Sequence, residues 1–544
     1  MARFQDAWTR WVGPHAAGRH KIVTWWRRPY VWALASALAV LVANVGGIAI
    51  GDDGVGYQAI ADSLESGNGL GYFLERHLTI WPPGWPALMA LVAKLTPLDT
   101  IGAAVLLNAV TAFAIVMLVN RLLVRLVPDD LLILLGTAVA ALGASSMVFG
   151  HLLMTDFSFV AVTLAMMLAL LNHRDTGSVR WLLIAAVLVG AGFMIRYAGV
   201  VNIGTAGLWL LVDRRTPIAT RVRNGALFGV VAAAGPVAWM VRNLSIDDTA
   251  LGVRYSSNRG LIPNAFDAFA TIGNFLIPGV AIDTRTIWAA VALVGCAVMV
   301  AMLWRVLRRD ERVRSATGLV DLAATATGLL VLHVGVYGAY MLFARTTTGL
   351  NRLDFRLLNP IYLPLAIVAL AILGRVRSAD ADEAASTGSG APLWRSAAGS
   401  TAMAWAGLNV VVGLGMIGYF TTSPDLFVGN YERAAFDGAR SSTALDALPG
   451  GCELSSNLPN ALYDAGVESQ WSPRETGLES NDPVDDLAKL QADLERGDGE
   501  HCLIWVDLEP TYGHLATLEE LREQFTLVEL ASDNGVTTYR FDPR

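Results

Sequence analysis

Long apolar runs, repeated along the chain, constrain its fold more than any other feature. Hydrophobic residues make up 54% of the 544 positions and charged residues only 16%, whereas soluble domains carry about 25% charged residues. An apolar run of about 18 residues can cross a bilayer as a helix. Such runs lie at residues 29–50, 100–120, 131–149, 152–171, 181–195, 198–212, 224–241, 286–304, 318–343, 357–374 and 398–420. The sequence predicts a mainly α polytopic membrane protein with about 11 transmembrane helices, although the short pair 181–195 and 198–212 also fits one long bent helix.

The distribution of charge divides the chain into a basic body and an acidic tail. From Thr421 onward there are 8 basic and 24 acidic residues, a net charge of −16, whereas the preceding residues carry +9. A cytoplasmic N-terminus would put 22 of the body's 32 basic residues on the cytoplasmic side, as the positive-inside rule expects. Eleven spans would then leave the tail outside. We predict a multi-pass protein of a bacterial inner membrane, with an extracytoplasmic C-terminal domain.

The predicted domain boundaries follow these changes in composition. They are a basic cytoplasmic N-terminus (1–28), a transmembrane body (29–375) with an outer loop (51–99), a flexible polar linker (376–396), a last span (397–420) and the tail (421–544). Strand-like and helix-like segments alternate in the tail, which predicts a small α/β domain. Cys452 and Cys502 fall on two of its predicted strands, where a disulfide and two buried free thiols both fit the sequence.

The outer loop and the outer helix ends carry unusual charged residues. Asp52 and Asp53 directly follow the first span, where paired carboxylates are costly unless they are solvated, paired or metal-bound. Arginines also gather at predicted outer helix ends, against the general bias, namely Arg196, Arg242, Arg254, Arg259, Arg345, Arg352 and Arg356. Arginine stays charged and binds phosphate with a two-pronged fork. The group predicts a site for an anionic ligand, although any single arginine also fits the neutralisation of a nearby acid or lipid headgroup.

Taken in order, these motifs resemble the GT-C superfamily of integral membrane glycosyltransferases, which includes protein O-mannosyltransferases and the lipid A aminoarabinose transferase. The matching positions are Asp52, Asp53, Tyr57, Gly67, Gly69, Pro82, Pro83, Pro86, Asp156, Arg242, Asn243, Arg356, Leu358, Pro360, Tyr362 and the tail segment 455–463. Many relatives have Asp-Glu where this chain has Asp53 and Gly54, so the identity of the base is open between Asp52 and Asp53, and spacing favours Asp53.

The resemblance implies a transfer from a polyprenyl-phosphate sugar to an acceptor hydroxyl with inversion at the sugar. A carboxylate, Asp53 or Asp52, would act as general base, and Asp156 would support the oxocarbenium-like centre or position the acceptor. The expected donor-phosphate contacts are Arg356, Arg242, Arg196, Arg352 and Arg254, and the expected substrate contacts are Tyr57, His77 and Trp81. A divalent cation such as Mg²⁺, Mn²⁺ or Ca²⁺ between Asp52 and Asp53 suits carboxylate chemistry, although the spacing does not require one.

Two further function classes fit the same topology. A transporter or lipid flippase would also have many spans and an outer anion site, but transporter sites usually lie near the bilayer midplane. The ionisable residues of this chain cluster instead at predicted helix ends. A catalytically inactive scaffold that presents the tail is the third class, and the Asp52–Asp53 loop argues against it. The acceptor, whether glycan, lipid or protein, stays open, and no nucleic-acid-binding motif is present.

Overall fold

The computed structural model describes residues 28–278, 285–309, 322–387, 393–422, 430–431, 434–497, 499–507 and 512–542. The body is helical throughout. Its helices are α1 (Pro29–Ala43), α2 (Asp52–Glu65), α3 (Gly84–Leu95), α4 (Thr100–Leu126), α5 (Asp130–Leu142), α6 (Ala144–Gly150), α7 (Asp156–Thr176), α8 (Val179–Ile195), α9 (Val200–Val212), α10 (Ile218–Asp247), α11 (Leu261–Leu276), α12 (Arg285–Arg309), α13 (Ala326–Thr347), α14 (Phe355–Thr387) and α15 (Leu393–Thr422). This confirms the predicted polytopic helical class.

The described part of the chain contains eight helical stretches that are long and apolar enough to cross a membrane, with shorter apolar helices beside them. Three of the eleven predicted spans correspond to the shorter helices α1, α8 and α9. Helix α1 ends at Ala43, before the predicted boundary at residue 50. The side chain of Asn44, the next residue, donates to the carbonyls of Val40 at 2.7 Å and Gly150 at 2.9 Å. Helices α8 and α9 are separated by Arg196, whose backbone is extended, so the alternative of one bent helix is wrong.

The segment predicted as a flexible linker, residues 376–396, is helical over much of its length. Helix α14 continues to Thr387, and α15 begins at Leu393. Alanine, glutamate and arginine in residues 376–387 favour helix, and this local preference outweighs the polar composition that indicated a linker. Residues 388–392 lie outside the described residues.

The tail contains the predicted α/β domain. Its elements are α16 (Asp437–Arg440), β1 (Glu453–Ser456), α17 (Pro459–Leu462), β2 (Gln470–Trp471), α18 (Asp486–Arg496), β3 (His501–Val506), α19 (Leu518–Gln524), β4 (Thr526–Asp533) and β5 (Val536–Asp542). The strands form one sheet in the order β2-β1-β3-β5-β4, in which the first three strands are parallel and β5 runs antiparallel to both its neighbours. Asn534 and Gly535, both with positive φ, make the tight turn between β4 and β5.

A disulfide joins Cys452, just before β1, to Cys502 on the neighbouring strand β3. The two residues are 50 positions apart in the chain, and their Cα atoms are 6.0 Å apart. Of the two arrangements that the sequence left open for this pair, the structure has the disulfide. It closes a loop of the chain around the parallel half of the sheet.

The tail packs against one end of the helical body. The backbone N–H of Tyr431 donates to the carbonyl of Ile50 at 2.8 Å, directly before α2. The fully buried guanidinium of Arg345, near the end of α13, donates to Glu479 of the tail at 3.0 Å. These contacts bring the tail over the end of the bundle that carries α2.

The opposite end of the bundle gathers residues that the sequence predicted to be cytoplasmic. Arg125, at the end of α4, pairs with Asp175 at the end of α7 at 3.2 Å. Arg377 on α14 pairs with Asp129 just before α5 at 3.0 Å. The helix ends therefore separate into the two predicted groups, while the orientation of the bundle across the membrane stays a prediction.

Candidate active site

Four charged residues from separate elements meet beneath the tail. Asp53 lies in the first turn of α2, Asp156 in the first turn of α7, Arg356 in the first turn of α14, and Arg196 at the break between α8 and α9. The two carboxylates are stabilised in the first turns of their helices by the positive end of the helix dipole. Tertiary folding thus brings together residues that are about 300 positions apart in the chain.

The first ion pair of this group joins Asp53 to Arg356. The Nη1 atom of Arg356 donates to Asp53 Oδ2 at 2.8 Å, and the side chains are 18% and 31% exposed. The same Nη1 atom lies 3.7 Å from the sulfur of Met154. Among the described residues, Oδ1 of Asp53 accepts no hydrogen bond, so one oxygen of this half-buried carboxylate is available for a ligand.

The second ion pair joins Arg196 to Asp156 and is more deeply buried. Arg196 Nη1 donates to Asp156 Oδ1, and the Asp156 side chain is only 2% exposed. Tyr57 of α2 lies within electrostatic reach of both pairs. Burial, with the negative charge of Asp53 as the next cause, raises the pKa of Tyr57 above its ordinary value. Tyr57 is therefore a neutral hydrogen-bonding group at physiological pH.

Trp81 forms an aromatic wall beside α2. Its ring centroid lies 5.3 Å from that of Tyr57 and 5.7 Å from that of Tyr72. A Cβ atom on Gly56 would lie 2.4 Å from the Trp81 ring, so this approach of α2 to Trp81 requires glycine at position 56. The structure thus brings Tyr57 and Trp81 together, whereas His77, the third predicted substrate contact, is exposed on the loop.

Gly54, where the sequence departs from many relatives, also packs closely. A Cβ atom at this position would lie 3.0 Å from the carbonyl oxygen of Leu153 and 3.1 Å from the Ile50 side chain. A side chain at position 54 would require these neighbours to move by a few tenths of an ångström. The packing at Gly54 is therefore closer than at an ordinary side-chain position, and Asp53 is the carboxylate that faces Arg356.

The other predicted phosphate contacts have different surroundings. Arg242 donates to the carbonyl of Leu78 at 2.6 Å and lies over the Trp239 ring at 4.5 Å. Arg254 donates to the carbonyl of Ile80 at 2.9 Å. Both side chains hold the backbone of the outer loop through hydrogen bonds to its carbonyl groups. Arg254 also interacts electrostatically with Asp53. Arg352 is exposed.

Asp52 faces the tail, away from Arg356. Its Oδ1 atom accepts hydrogen bonds from the Tyr431 hydroxyl at 2.5 Å, the Tyr512 hydroxyl at 2.8 Å and the Asn460 amide at 2.8 Å. Asp52 and Asp53 are neighbours in the chain but have separate partners. The sequence analysis missed Tyr431 and Tyr512, while Asn460 lies in the tail segment 455–463 that resembled the family.

This arrangement does not fit a divalent cation held between Asp52 and Asp53. Hydroxyl and amide donors occupy Oδ1 of Asp52, and the guanidinium of Arg356 would repel a cation at Asp53. Within the described residues, no three His, Cys, Asp or Glu side chains are grouped as metal ligands.

Comparison with known proteins gives two similarities. The family model described as dolichyl-phosphate-mannose-protein mannosyltransferase matches residues 81–239, which include Trp81, Asp156 and Arg196. The fold is similar to the crystal structure of ArnT from Cupriavidus metallidurans in the apo state, with 14% identity, a TM-score of 0.55, and coverage of 94% of this chain and 97% of that chain. The structure of ArnT bound to undecaprenyl phosphate gives 14% identity, a TM-score of 0.56 and the same 94% and 97% coverage. Among curated proteins, none matches the sequence.

Proposed function

We propose that this chain is a membrane glycosyltransferase of the GT-C type, and that it moves a sugar from a polyprenyl-phosphate donor to an acceptor hydroxyl on the extracytoplasmic face. The family-model match and the shared fold confirm the resemblance to the GT-C superfamily that the sequence motifs indicated. One observation carries the proposal. A half-buried carboxylate, Asp53, is paired with Arg356 beside a second pair, Arg196 and Asp156. Such a group offers a base for a hydroxyl and cations for a phosphate.

The proposed base is Asp53. Its free Oδ1 atom takes the proton of the acceptor hydroxyl while the hydroxyl oxygen attacks the anomeric carbon of the donor sugar. The electron pair of the bond between that carbon and the phosphate oxygen leaves with the lipid phosphate, so the sugar is inverted. Proton removal by a positioned carboxylate is worth about 10²–10⁴-fold in rate.

The proposed leaving-group contacts are Arg356 and Arg196. A leaving phosphate gains negative charge and therefore needs cations more than it needs a proton. Arg356 uses its Nη1 atom to hold Asp53, and a guanidinium carries five N–H donors, so other donors remain for phosphate oxygens. Because the two arginines are held by Asp53 and Asp156 before the donor arrives, little reorganisation is needed during the reaction.

Asp156 and Tyr57 are proposed to shape the site from its buried side. Asp156 holds Arg196 and adds negative charge near the centre where an oxocarbenium-like sugar develops. Tyr57 supplies a neutral hydroxyl, and Trp81 supplies an apolar ring face against which a sugar can pack. Aromatic rings combine a large apolar surface with a fixed shape. These features support a sugar as the transferred group.

The experiment measures binding and turnover of a panel of synthetic polyprenyl-phosphate sugars by the purified chain in lipid nanodiscs. Asp53→Asn is the test variant, and Glu65→Gln is the matched control because Glu65 is an exposed acid at the end of the same helix. We expect one donor to be transferred or slowly hydrolysed by the wild type and by the control. Asp53→Asn should lose about 10²–10⁴-fold in kcat while it still binds the donor.

Two results would contradict the proposal. Undiminished turnover in Asp53→Asn would remove Asp53 as the base. Tight donor binding by the wild type without any transfer or hydrolysis, combined with movement of the lipid between leaflets, would instead favour the transporter or flippase class.

A further inference from the structure

We infer that the tail contributes to the active site by holding the first turn of α2 in position. Asp52 is the positioning residue, because it accepts the hydrogen bonds from the tail. The inference rests on the proposed function, because it concerns how the base Asp53 is held in place. Asp52 receives hydrogen bonds from the tail residues Tyr431, Asn460 and Tyr512. These donors come from three segments of the tail that only its folding brings together.

The contacts around Asp52 form a closed network. The Tyr512 hydroxyl lies 2.8 Å from Oδ1 and 2.7 Å from Oδ2 of Asp52. The hydroxyls of Tyr431 and Tyr512 are 2.6 Å apart. The amide of Asn460 contacts Oδ1 at 2.8 Å, and Asn460 itself is buried. A carboxylate that accepts so many hydrogen bonds is held in one place. Its oxygens are already engaged, so Asp52 is less suited than Asp53 to take a proton from an incoming hydroxyl.

The chain just before α2 is fixed to the same part of the tail. Ile50 donates its backbone N–H to the Asn430 side chain at 2.9 Å and accepts the backbone N–H of Tyr431 at 2.8 Å. Both backbone polar groups of a residue three positions before Asp53 are thus bonded to the tail. Together with the bonds to Asp52, they fix the position and the rotation of the first turn of α2.

The rotation of this turn decides where Asp53 points. Successive residues of an α-helix are about 100° apart around its axis, so Asp52 and Asp53 face different directions. While the tail holds Asp52, Asp53 faces Arg356, with 2.8 Å between the charged atoms. A misplacement of about 1 Å in a reacting group can cost about 10²-fold in rate, so loss of the bonds to Asp52 should reduce turnover through Asp53.

The tyrosines act as donors at physiological pH. Burial first, and the charge of Asp52 second, raise the pKa values of Tyr431 and Tyr512 well above the ordinary value of a phenol. Both phenols therefore keep their protons. The network depends on hydroxyl groups, so phenylalanine is a suitable replacement that preserves the ring and removes only the donor.

The test compares the double variant Tyr431→Phe/Tyr512→Phe with Tyr463→Phe in the full chain. Tyr463 is a matched control because it also joins the tail to α2, through Asp62 at 2.8 Å, but at the other end of that helix. We expect kcat of the double variant to fall about 10–100-fold, with donor affinity within about threefold of the wild type by the same reasoning. Tyr463→Phe should stay within about twofold in kcat.

Two further readouts separate positioning from catalysis by Asp52 itself. Asp52→Asn should keep the acidic limb of the pH dependence of kcat/KM, with a lower plateau, because Asp53 remains the base. Amide hydrogen exchange in residues 52–57 should become faster in Asp52→Asn and in the tyrosine double variant, and should stay unchanged in Tyr463→Phe. If the double variant fails to fold, the single variant Tyr512→Phe replaces it in these measurements. That variant leaves two donors, Tyr431 and Asn460, on Asp52.

Three results would overturn the inference. They are wild-type turnover in the tyrosine double variant, loss of the acidic limb in Asp52→Asn, and unchanged hydrogen exchange in residues 52–57. If the wild type transfers no sugar from any polyprenyl-phosphate donor, the proposed function fails on its own. The hydrogen-exchange measurement then still decides whether the tail holds the first turn of α2.

Discussion

Replacement of Arg356 by glutamine tests most directly whether this arginine binds the donor phosphate. Arg356→Gln keeps a hydrogen-bond donor near Asp53 but removes the positive charge that lies 2.8 Å from its carboxylate. Hydrogen bonds to charged groups are worth about 1.5–3 kcal/mol net. At about 1.4 kcal/mol per tenfold change, we expect the donor Kd to rise about 10–100-fold. We also expect kcat to fall, because the phosphate gains charge as it leaves.

The assay measures donor binding and turnover separately in nanodiscs. Arg375→Gln is the matched control, because Arg375 is an exposed arginine on the same helix, about 28 Å from Arg356 along the axis at about 1.5 Å per residue. The control should bind and turn over the donor like the wild type. Wild-type donor affinity and turnover in Arg356→Gln would refute the assignment of this arginine to the phosphate.

The remaining predictions concern the tail. Glu479→Gln leaves the fully buried Arg345 without its counter-charge, so the thermal unfolding temperature of the full chain should fall by several degrees. Replacement of both Cys452 and Cys502 by alanine should lower the tail's free energy of unfolding by about 2–4 kcal/mol in a denaturant titration. Burial, aided by a nearby arginine, lowers the pKa of His514 from 6.5 to about 4. Since the unfolded chain then binds more protons than the folded chain between these values, tail stability should fall as pH drops from 6.5 towards 4, and His514→Gln should reduce that loss in unfolding curves at pH 5 and 7.

Much of the fold was predictable because its causes are local. Apolar runs of membrane-crossing length indicated the helical body, and alternating patterns indicated the strands and helices of the tail. The turn at Asn534 and Gly535 also has a local cause, because these residue types accept positive φ. The helix ends were less predictable. The stop of α1 at Ala43 lies inside an apolar run, where hydropathy carries no signal. The break at Arg196, in contrast, falls between the two apolar runs that the sequence separated.

The candidate site was predictable in part. The charges of Asp53, Asp156, Arg196 and Arg356 stood out because ionised groups at membrane helix ends are costly without partners. Their pairing could not be predicted, since several arginines lay at similar helix ends. Arg242 illustrates the difficulty. Its side chain donates to the carbonyl of Leu78, a backbone group that no residue pattern distinguishes.

The sequence by itself determined that this is a helical membrane protein with an acidic α/β tail, because hydropathy, charge and turn residues act over a few positions. Only the tertiary structure decided that Asp53 faces Arg356 while Asp52 faces the tail. Those contacts join residues about 300 and 400 positions apart. The physical reason is that the direction of each carboxylate depends on how α2 is rotated by its neighbours, and neighbours distant in sequence leave no local pattern.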